Sequence, residues 1–137
     1  MEGAIEKILQ LFVSWTKLKV RIHLNDIKKQ ELYFYERQVW WASLGQNIGS
    51  EQNGKNTNFE RPVLVFKKFN EDTFWAIPAS TKIKTGKYYE LFHLDDKEFS
   101  LNLSQLRLIS SKRLLRLSGS ISREEYEIIK DRIRKLI

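Results

Sequence analysis

The sequence predicts a small α+β domain that is mainly β: a strongly bent antiparallel β-sheet or barrel with helices packed against it. Three observations support this prediction. In the 137-residue chain, apolar residues recur with helical spacing near both ends. Between them lie short runs rich in β-branched and aromatic residues, each bounded by turn residues. The connections between these runs are short, which favours antiparallel pairing because parallel strands need long crossovers.

The N-terminal segment 1–36 is predicted to be a helical extension that packs on the domain. Residues 3–20 carry one apolar stripe with helical spacing. The residues of this stripe are Ile5, Ile8, Leu9, Phe12, Trp15 and Leu18. The pattern of residues 21–36 is ambiguous, and we predict a short second helix followed by an extended entry into the domain. No Pro/Gly-rich linker follows, so we expect the apolar stripe to be buried by packing.

Strands are predicted from residue 37 onward, at 37–44, 62–69, 74–80, 85–94, 97–103, 104–110 and 113–121. The second of these begins at Pro62, because a first strand position need not donate a hydrogen bond to the ladder. Pro78 predicts an edge or a bulge near the end of the third. The runs 85–94 and 97–103 are expected to form a hairpin.

The last predicted element is a helix that runs to Ile137. Ser122 and Glu125 have the S-x-x-E spacing of a capping box, which marks its start. Tyr126, Ile129, Ile133 and Leu136 would lie on one face of this helix. The chain therefore closes with an amphipathic helix against the sheet.

Charge and composition restrict the function. The net charge is +7, and residues 103–137 hold nine basic but four acidic residues, which favours a polyanionic partner. No cysteine is present, so disulfides and zinc–thiolate sites are excluded. No apolar run approaches the roughly 20 residues that span a bilayer. We therefore expect a cytoplasmic protein that has no membrane partner.

Familiar catalytic motifs are missing from the sequence. It contains no phosphate-binding P-loop, no H-E-x-x-H and no G-x-S-x-G, and its carboxylates are scattered. The two histidines, His23 and His93, are interpreted as structural or exposed residues. A metal-dependent mechanism is therefore poorly supported, and neither a metal nor a cofactor is expected.

A polar cluster remains at the predicted strand ends. Glu51, Gln52, Asn53 and Lys55 lie in a Gly-rich loop, residues 45–60, and Arg61 follows at the start of a strand. If the runs 62–69 and 74–80 form an antiparallel hairpin, Arg61 meets Ser80 or Thr81 at one rim of the sheet.

A guanidinium held at such a rim can bind a phosphate through paired charge-assisted hydrogen bonds and stabilise charge that develops on phosphorus. The combination favours cleavage of RNA by attack of its own 2′-OH. The alternative is that Arg61 only forms an ion pair with Glu60 or Glu51. Trp40, Trp41 and Trp75 are interpreted as core residues, although one could stack on a base.

The order of motifs resembles the PemK/MazF toxins of type II toxin–antitoxin systems. Five motifs follow one another: VWWASLG (39–45), IGSEQ (48–52), RPVLV (61–65), IPAST (77–81) and LSQLRLISSKRL (103–114). The resemblance covers residues 37–137, which we take as the toxin domain. It implies a bent SH3-like antiparallel β-barrel of the PemK/MazF/CcdB-like kind that forms a homodimer.

The resemblance also implies an activity. It implies a metal-independent, sequence-selective endoribonuclease, an mRNA interferase that leaves 2′,3′-cyclic phosphate and 5′-OH ends. The implied partners are single-stranded RNA and a cognate antitoxin protein. The alternative is a non-catalytic RNA- or protein-binding module on the same fold, as in the related gyrase-poisoning toxins.

Carried onto this sequence, the resemblance gives the catalytic residues as Arg61, Ser80, Thr81 and Glu51. Arg61 would stabilise the phosphorane, Ser80 would hold a phosphate oxygen or the 2′-OH, and Glu51 would orient Arg61 or act as base. The expected RNA-binding residues are Ser50, Gln52, Asn53, Lys55, Lys82 and Lys84. Gln105 matches the family glutamine, which is expected to shape the dimer or the sheet rim. The loop NGKNTNFE before Arg61 is longer than is usual in the family.

Overall fold

The computed structural model describes residues 2–24 and 32–137, and its strands form one curled antiparallel sheet, a half-barrel with two helices. This architecture confirms the predicted fold class. The elements in chain order are α1 (Glu2–Leu24), β1 (Gln38–Ser43), β2 (Glu60–Lys68), β3 (Thr73–Ser80), β4 (Tyr89–Leu94), β5 (Lys97–Asn102), β6 (Arg107–Ser110), β7 (Leu114–Ser120) and α2 (Arg123–Leu136). Two single-turn 3₁₀ helices, Leu103–Gln105 and Ser111–Arg113, flank β6.

Strand β3 is the centre of the sheet. The strand order is β4-β5-β3-β2-β1-β7, and β6 also pairs with β3. On one side β3 pairs with β2, while on the other it pairs first with β6, through Ala76, and then with β5, from Ala79. Pro78 lies in the gap where β3 passes from β6 to β5, so the predicted edge or bulge is instead a gap in the pairing of an internal strand.

Several predicted boundaries were wrong. β2 begins at Glu60 rather than at Pro62, because Glu60 already pairs with Ser43 of β1. The pairing of β2 with β3 starts later, at Val63. β4 begins at Tyr89, because residues 86–88 form a turn that the Tyr89 N–H closes onto Gly86 O at 3.2 Å. β6 begins at Arg107, because the chain first forms a 3₁₀ turn.

Helix α1 is longer than predicted. Residues 21–24 continue it, so they do not begin a second helix, and the rest of that predicted helix lies outside the described residues. Trp15 and Ile22 are buried with Phe59, and Leu18 packs beside them. The first half of the helix is different, because Ile5 and Leu9 are 61% and 60% exposed. The predicted burial of the stripe therefore holds only for its C-terminal half.

Two larger core clusters lie on the two faces of the sheet. One contains Tyr126 and Ile129 of α2, with Ile133 and Leu136 packed against it, so the predicted helix face is confirmed. Ser122 also caps the start of this helix as predicted, since the Glu125 N–H donates to Ser122 Oγ at 3.0 Å.

The second core cluster contains Trp40. Trp41 is half-buried beneath Arg116, and Trp75 is 41% exposed with its ring edge-on to Phe69. The interpretation of Trp75 as a core residue was therefore wrong. In β3 it lies on the same face as Ile77 of the first cluster, but it belongs to neither cluster.

Candidate active site at the rim of the sheet

A cavity of about 210 Å³ opens where β3 ends, beside the loop that joins β1 to β2. This β1–β2 loop comprises residues 44–59. The described residues that line the cavity include four cationic side chains and no carboxylate. The four are Lys55, Arg61, Lys82 and Lys84. Such a lining attracts an anion.

The strand register places Arg61 and Ser80 together. Val63 of β2 is paired with Pro78 of β3, and Arg61 and Ser80 each lie two residues beyond this pair, toward the same rim. Residues directly opposite in an antiparallel pair lie on the same face of the sheet. Both side chains line the cavity. The structure therefore brings together the two residues that the hairpin argument expected to meet.

The Arg61 guanidinium is half-buried against neutral acceptors. Its Nε donates to the Asn53 carbonyl oxygen at 2.5 Å. With its amide oxygen turned to the guanidinium, Gln52 also accepts from Nη2 at 2.9 Å and from Nε at 3.0 Å. Burial lowers the pKa of Arg61, but an arginine starts so far above neutrality that the group stays charged.

No described carboxylate neutralises Arg61. Glu60, its neighbour in sequence, pairs instead with Arg116, at 2.7 Å between Oε2 and Nη1. Glu51 accepts a hydrogen bond from the Ile48 N–H at 3.0 Å. The interpretation of Arg61 as the partner of either glutamate therefore does not describe this geometry, and its charge faces the cavity.

The Ser80 hydroxyl is held by the turn that follows β3. Its Oγ accepts from the Lys82 N–H at 3.1 Å. On the neighbouring strand, the buried Ser100 donates through Oγ to the Lys82 carbonyl at 2.9 Å. Within residues 2–24 and 32–137 the Ser80 O–H donates to no acceptor, so its proton is available to a ligand.

Thr81 lies elsewhere. It lines a separate cavity of about 370 Å³, together with Trp41, Asp95 and Asp96 among others. Consecutive residues near a strand end point in opposite directions, so Ser80 and Thr81 do not share a site. The expected role of Thr81 beside Arg61 therefore has no support in the geometry.

Glu51 also lies outside the cavity. It is exposed and lines a neighbouring depression of about 430 Å³ with Asn47, Gln105 and Arg107. Gln52 lines both spaces and separates them. The structure therefore does not place the Glu51 carboxylate beside Arg61 or Ser80.

Gln105 fixes the β1–β2 loop through two hydrogen bonds to its backbone. Its side-chain oxygen accepts from the Gln52 N–H at 3.0 Å, and its side-chain nitrogen donates to the Ser50 carbonyl at 3.2 Å. Asn47 adds a second tie, because its side-chain nitrogen donates to the Gln52 carbonyl at 2.8 Å. The Ser50 side chain is exposed. Gln105 therefore orders the loop that carries Gln52.

Three further residues line the cavity that sequence reasoning did not identify: Tyr89, Ser100 and Asn102. They belong to β4 and β5, which reach the rim only because β5 pairs with the end of β3. The Lys84 ammonium lies 6.0 Å from the centre of the Tyr89 ring. An aromatic face beside a cationic pocket can stack on a nucleobase.

In the part of the chain that the structure describes, no three His, Cys, Asp or Glu residues lie close enough to share a metal ion. Neither α1 nor α2 combines the length and apolar character that a bilayer-crossing helix needs.

The fold of this chain is shared with a protein of known structure. A solved structure described as an endoribonuclease in complex with its cognate antitoxin from a mycobacterial species superposes with a TM-score of 0.57. The alignment covers 75% of this chain and 93% of that chain at 13% identity, which shows a common fold.

The family follows from the sequence itself. The profile of the PemK-like, MazF-like toxins of type II toxin–antitoxin systems matches residues 35–137. The chain belongs to this family, as the order of its motifs predicted. A search of curated proteins gave no match.

Proposed function

We propose that this protein is the toxin of a type II toxin–antitoxin system and that it cleaves single-stranded RNA. One observation carries the proposal: an arginine without a described carboxylate partner and a serine line the same cavity, together with three more cations. Membership of the toxin family and the fold shared with an endoribonuclease support it. The net charge of +7 suits a polyanionic substrate.

Arg61 is the main electrostatic group in the proposed mechanism. Its Nε and Nη2 are directed to Asn53 and Gln52, which leaves Nη1 for a phosphate oxygen. Because these acceptors fix the guanidinium before substrate arrives, little reorganisation is needed as charge develops on the phosphate. Ser80 donates its hydroxyl proton to a second non-bridging oxygen.

The reaction we propose is an internal transfer. The 2′-oxygen forms a bond to phosphorus, and the bond from phosphorus to the 5′-oxygen of the next nucleotide breaks. The proton lost by the 2′-OH is balanced by the proton gained by the leaving 5′-oxygen. The products are a 2′,3′-cyclic phosphate and a 5′-OH. Arg61 and the lysines supply the positive charge, so we expect activity to persist in EDTA.

Other groups have supporting roles in this proposal. Lys55, Lys82 and Lys84 hold neighbouring phosphates, and Tyr89 offers a stacking face. Glu51 acts by holding the turn of the β1–β2 loop through the Ile48 N–H rather than as base. We also propose a homodimer in the cytoplasm, with a cognate antitoxin that covers the RNA-binding surface.

Replacement of Arg61 tests the proposal. We expect Arg61→Ala to lower kcat/KM on single-stranded RNA by about a hundredfold or more, because charge stabilisation is lost. Arg61→Lys should restore little, since lysine lacks the planar fork. The exposed Arg123 on α2 provides a control, and Arg123→Ala should cleave like the wild type. Circular dichroism checks that each variant is folded.

The same experiment separates the alternative function. Mapping of transcript ends should reveal new 5′-OH termini in cells that express the wild type and none with Arg61→Ala. A non-catalytic gyrase poison would give DNA breaks with intact transcripts. Full activity of Arg61→Ala would reject the assigned mechanism.

A further inference from the structure

Helix α1 reaches the base of the β1–β2 loop. Trp15 is 5% exposed, and its indole lies 5.6 Å from the Phe59 ring, at the end of that loop. At the start of the loop, the indole covers Gly45 so closely that a β-carbon there would lie 2.2 Å from Trp15 Cε2. Trp15 therefore contacts both ends of the loop.

Backbone hydrogen bonds close the loop beneath this contact. The N–H groups of Leu44 and Gly45 both donate to the Phe59 carbonyl, at 2.8 Å and 3.1 Å. The Gly45 carbonyl accepts from the Gly54 N–H at 2.8 Å. Gly45 has a φ of +90°, which favours glycine and allows the indole to lie against the backbone.

Arg113 supports the indole from another element. Its guanidinium lies 5.7 Å from the centre of the Trp15 ring, and its Nη1 donates to the Ser43 and Leu44 carbonyls at 3.1 Å and 3.3 Å. Trp15 is thus held between the loop base and the turn before β7. This arrangement fixes its position more tightly than apolar burial alone would do.

The closed base lies next to the groups that hold Arg61. Gly54 directly follows Asn53, whose carbonyl accepts from Arg61 Nε. Gln52, one residue earlier, contacts the same guanidinium. If the Gly45–Gly54 hydrogen bond opens, Gln52 and Asn53 lose one of the contacts that fix them, and the hydrogen bonds with Asn47 and Gln105 remain to hold this part of the loop.

We infer that Trp15 is a positioning residue that keeps the base of the β1–β2 loop closed, so that Gln52 and Asn53 hold Arg61 toward the substrate. This inference rests on the proposed function. Trp15 lies outside residues 35–137, the segment that the family profile matches. The N-terminal helix thereby supports the candidate active site of this chain, through Trp15 and with Ile22 packed beside it on Phe59.

Hydrogen exchange and kinetics together test the inference. The variants are Trp15→Ala and the conservative Trp15→Phe. Ile5→Ala is the control on the exposed half of the same helix, and Ile129→Ala is a control that weakens a core remote from the loop. The amide exchange of Gly54 is compared with that of Leu64 in β2, and kcat and KM are measured on one oligoribonucleotide.

We expect Trp15→Ala to accelerate exchange of the Gly54 amide on the order of tenfold while leaving Leu64 unchanged, because the opening is local. The value of kcat should fall about tenfold to a hundredfold, since a misplaced catalytic group costs rate, and KM should change less. Trp15→Phe should recover most of both effects, and Ile5→Ala should show neither.

Two results would overturn the inference. One is equal acceleration at Gly54 and Leu64, which would mean that Trp15 only stabilises the whole fold. The other is an equal fall in kcat for folded Ile129→Ala. If the wild type cleaves no RNA, the proposed function fails, yet the exchange comparison still decides whether Trp15 closes the loop.

Discussion

Arg61 illustrates how one side chain can be ordered without being neutralised. Its guanidinium is held by a backbone carbonyl and a side-chain amide, which are neutral, while the adjacent Glu60 is paired with Arg116. A carboxylate in their place would compete with a phosphate for the same N–H groups. The arrangement therefore fixes the direction of the guanidinium and preserves its charge for a ligand.

Ser80 and Thr81 give a prediction at the scale of single residues. We expect Ser80→Ala to lower kcat/KM by about a hundredfold, as loss of one preorganised donor does elsewhere. Ser80→Thr should keep most activity because the hydroxyl remains. Thr81→Ala is the matched control and should be nearly silent, because Thr81 lines a different cavity. Steady-state cleavage of an oligoribonucleotide measures all three.

If Thr81→Ala lost activity and Ser80→Ala kept it, Thr81 rather than Ser80 would be the residue whose hydroxyl binds the phosphate. That result would require the turn after β3 to rearrange when RNA binds, since the present geometry directs Thr81 away from Arg61. Ser80→Ala also removes the hydrogen bond that the Lys82 N–H donates to Ser80 Oγ. Thermal unfolding of each variant shows whether loss of this turn, rather than loss of a catalytic hydroxyl, explains a change in activity.

Elements could be predicted from sequence to different extents. The closing helix was predicted well because the capping box and the apolar face are local signals that agree with each other. The start of β4 was predicted too early, because Tyr88 and Tyr89 have the same strand preference and only the turn at Gly86 distinguishes them. Local preference alone does not locate such a boundary.

Contacts between distant elements account for what the sequence left out of the candidate site. The convergence of Arg61 and Ser80 followed from a hairpin, which needs only neighbouring strands. Ser100 and Asn102 reach the site because β3 pairs with β5. Gln105 holds the β1–β2 loop because the 3₁₀ turn that carries Gln105 lies beside this loop. A motif did mark Gln105, but neither set of contacts can be deduced from a short motif alone.

His93 links the β4–β5 hairpin to α2, and this link should depend on pH. Its Nε2 lies 3.2 Å from Glu98 and its Nδ1 lies 3.4 Å from Glu125. Hydrogen bonds to Glu98 and then to Glu125 raise the pKa of His93 above its ordinary value. A raised pKa in the folded state means that the stabilisation is complete below the unfolded pKa, about 6.5, and is lost as the pH rises through the folded value.

The measurement is thermal unfolding of the wild type and His93→Gln at about pH 5.5 and about pH 8, on either side of the ordinary histidine pKa. The difference in melting temperature between the wild type and His93→Gln, with the wild type higher, should be larger at the lower pH. In a Glu98→Gln background this extra difference should shrink. An identical difference at both pH values would show that the histidine charge contributes nothing to the contact.

At the scale of the whole molecule, the curled sheet concentrates charge that is dispersed along the chain. Lys55 and Arg61 come from the start of the sheet in sequence order, whereas Lys82 and Lys84 follow β3, and all four line one cavity. The net charge of +7 was readable from composition, but its concentration at this rim depends on the topology.

This concentration predicts the salt dependence of RNA binding. Binding of a 2′-O-methyl oligoribonucleotide, which lacks the attacking hydroxyl, should weaken steeply with salt as counterions are released. Lys84→Ala should reduce the slope of log K against log salt by about one. Lys135→Ala on α2 should leave the slope unchanged, because Lys135 is paired with Asp131 at 3.0 Å. Fluorescence anisotropy over a salt series measures both, and equal slopes for the two variants would contradict the assignment of the cavity.

The cavity also has a consequence for how the protein is made. Its lining extends along the sequence from Gln52 to Asn102, and the last of these residues belong to β5. A nascent chain that has emerged from the ribosome only as far as β3 exposes Arg61 and Ser80 without the opposite wall. The candidate site is therefore complete only after β5 has been synthesised, late in the translation of the chain.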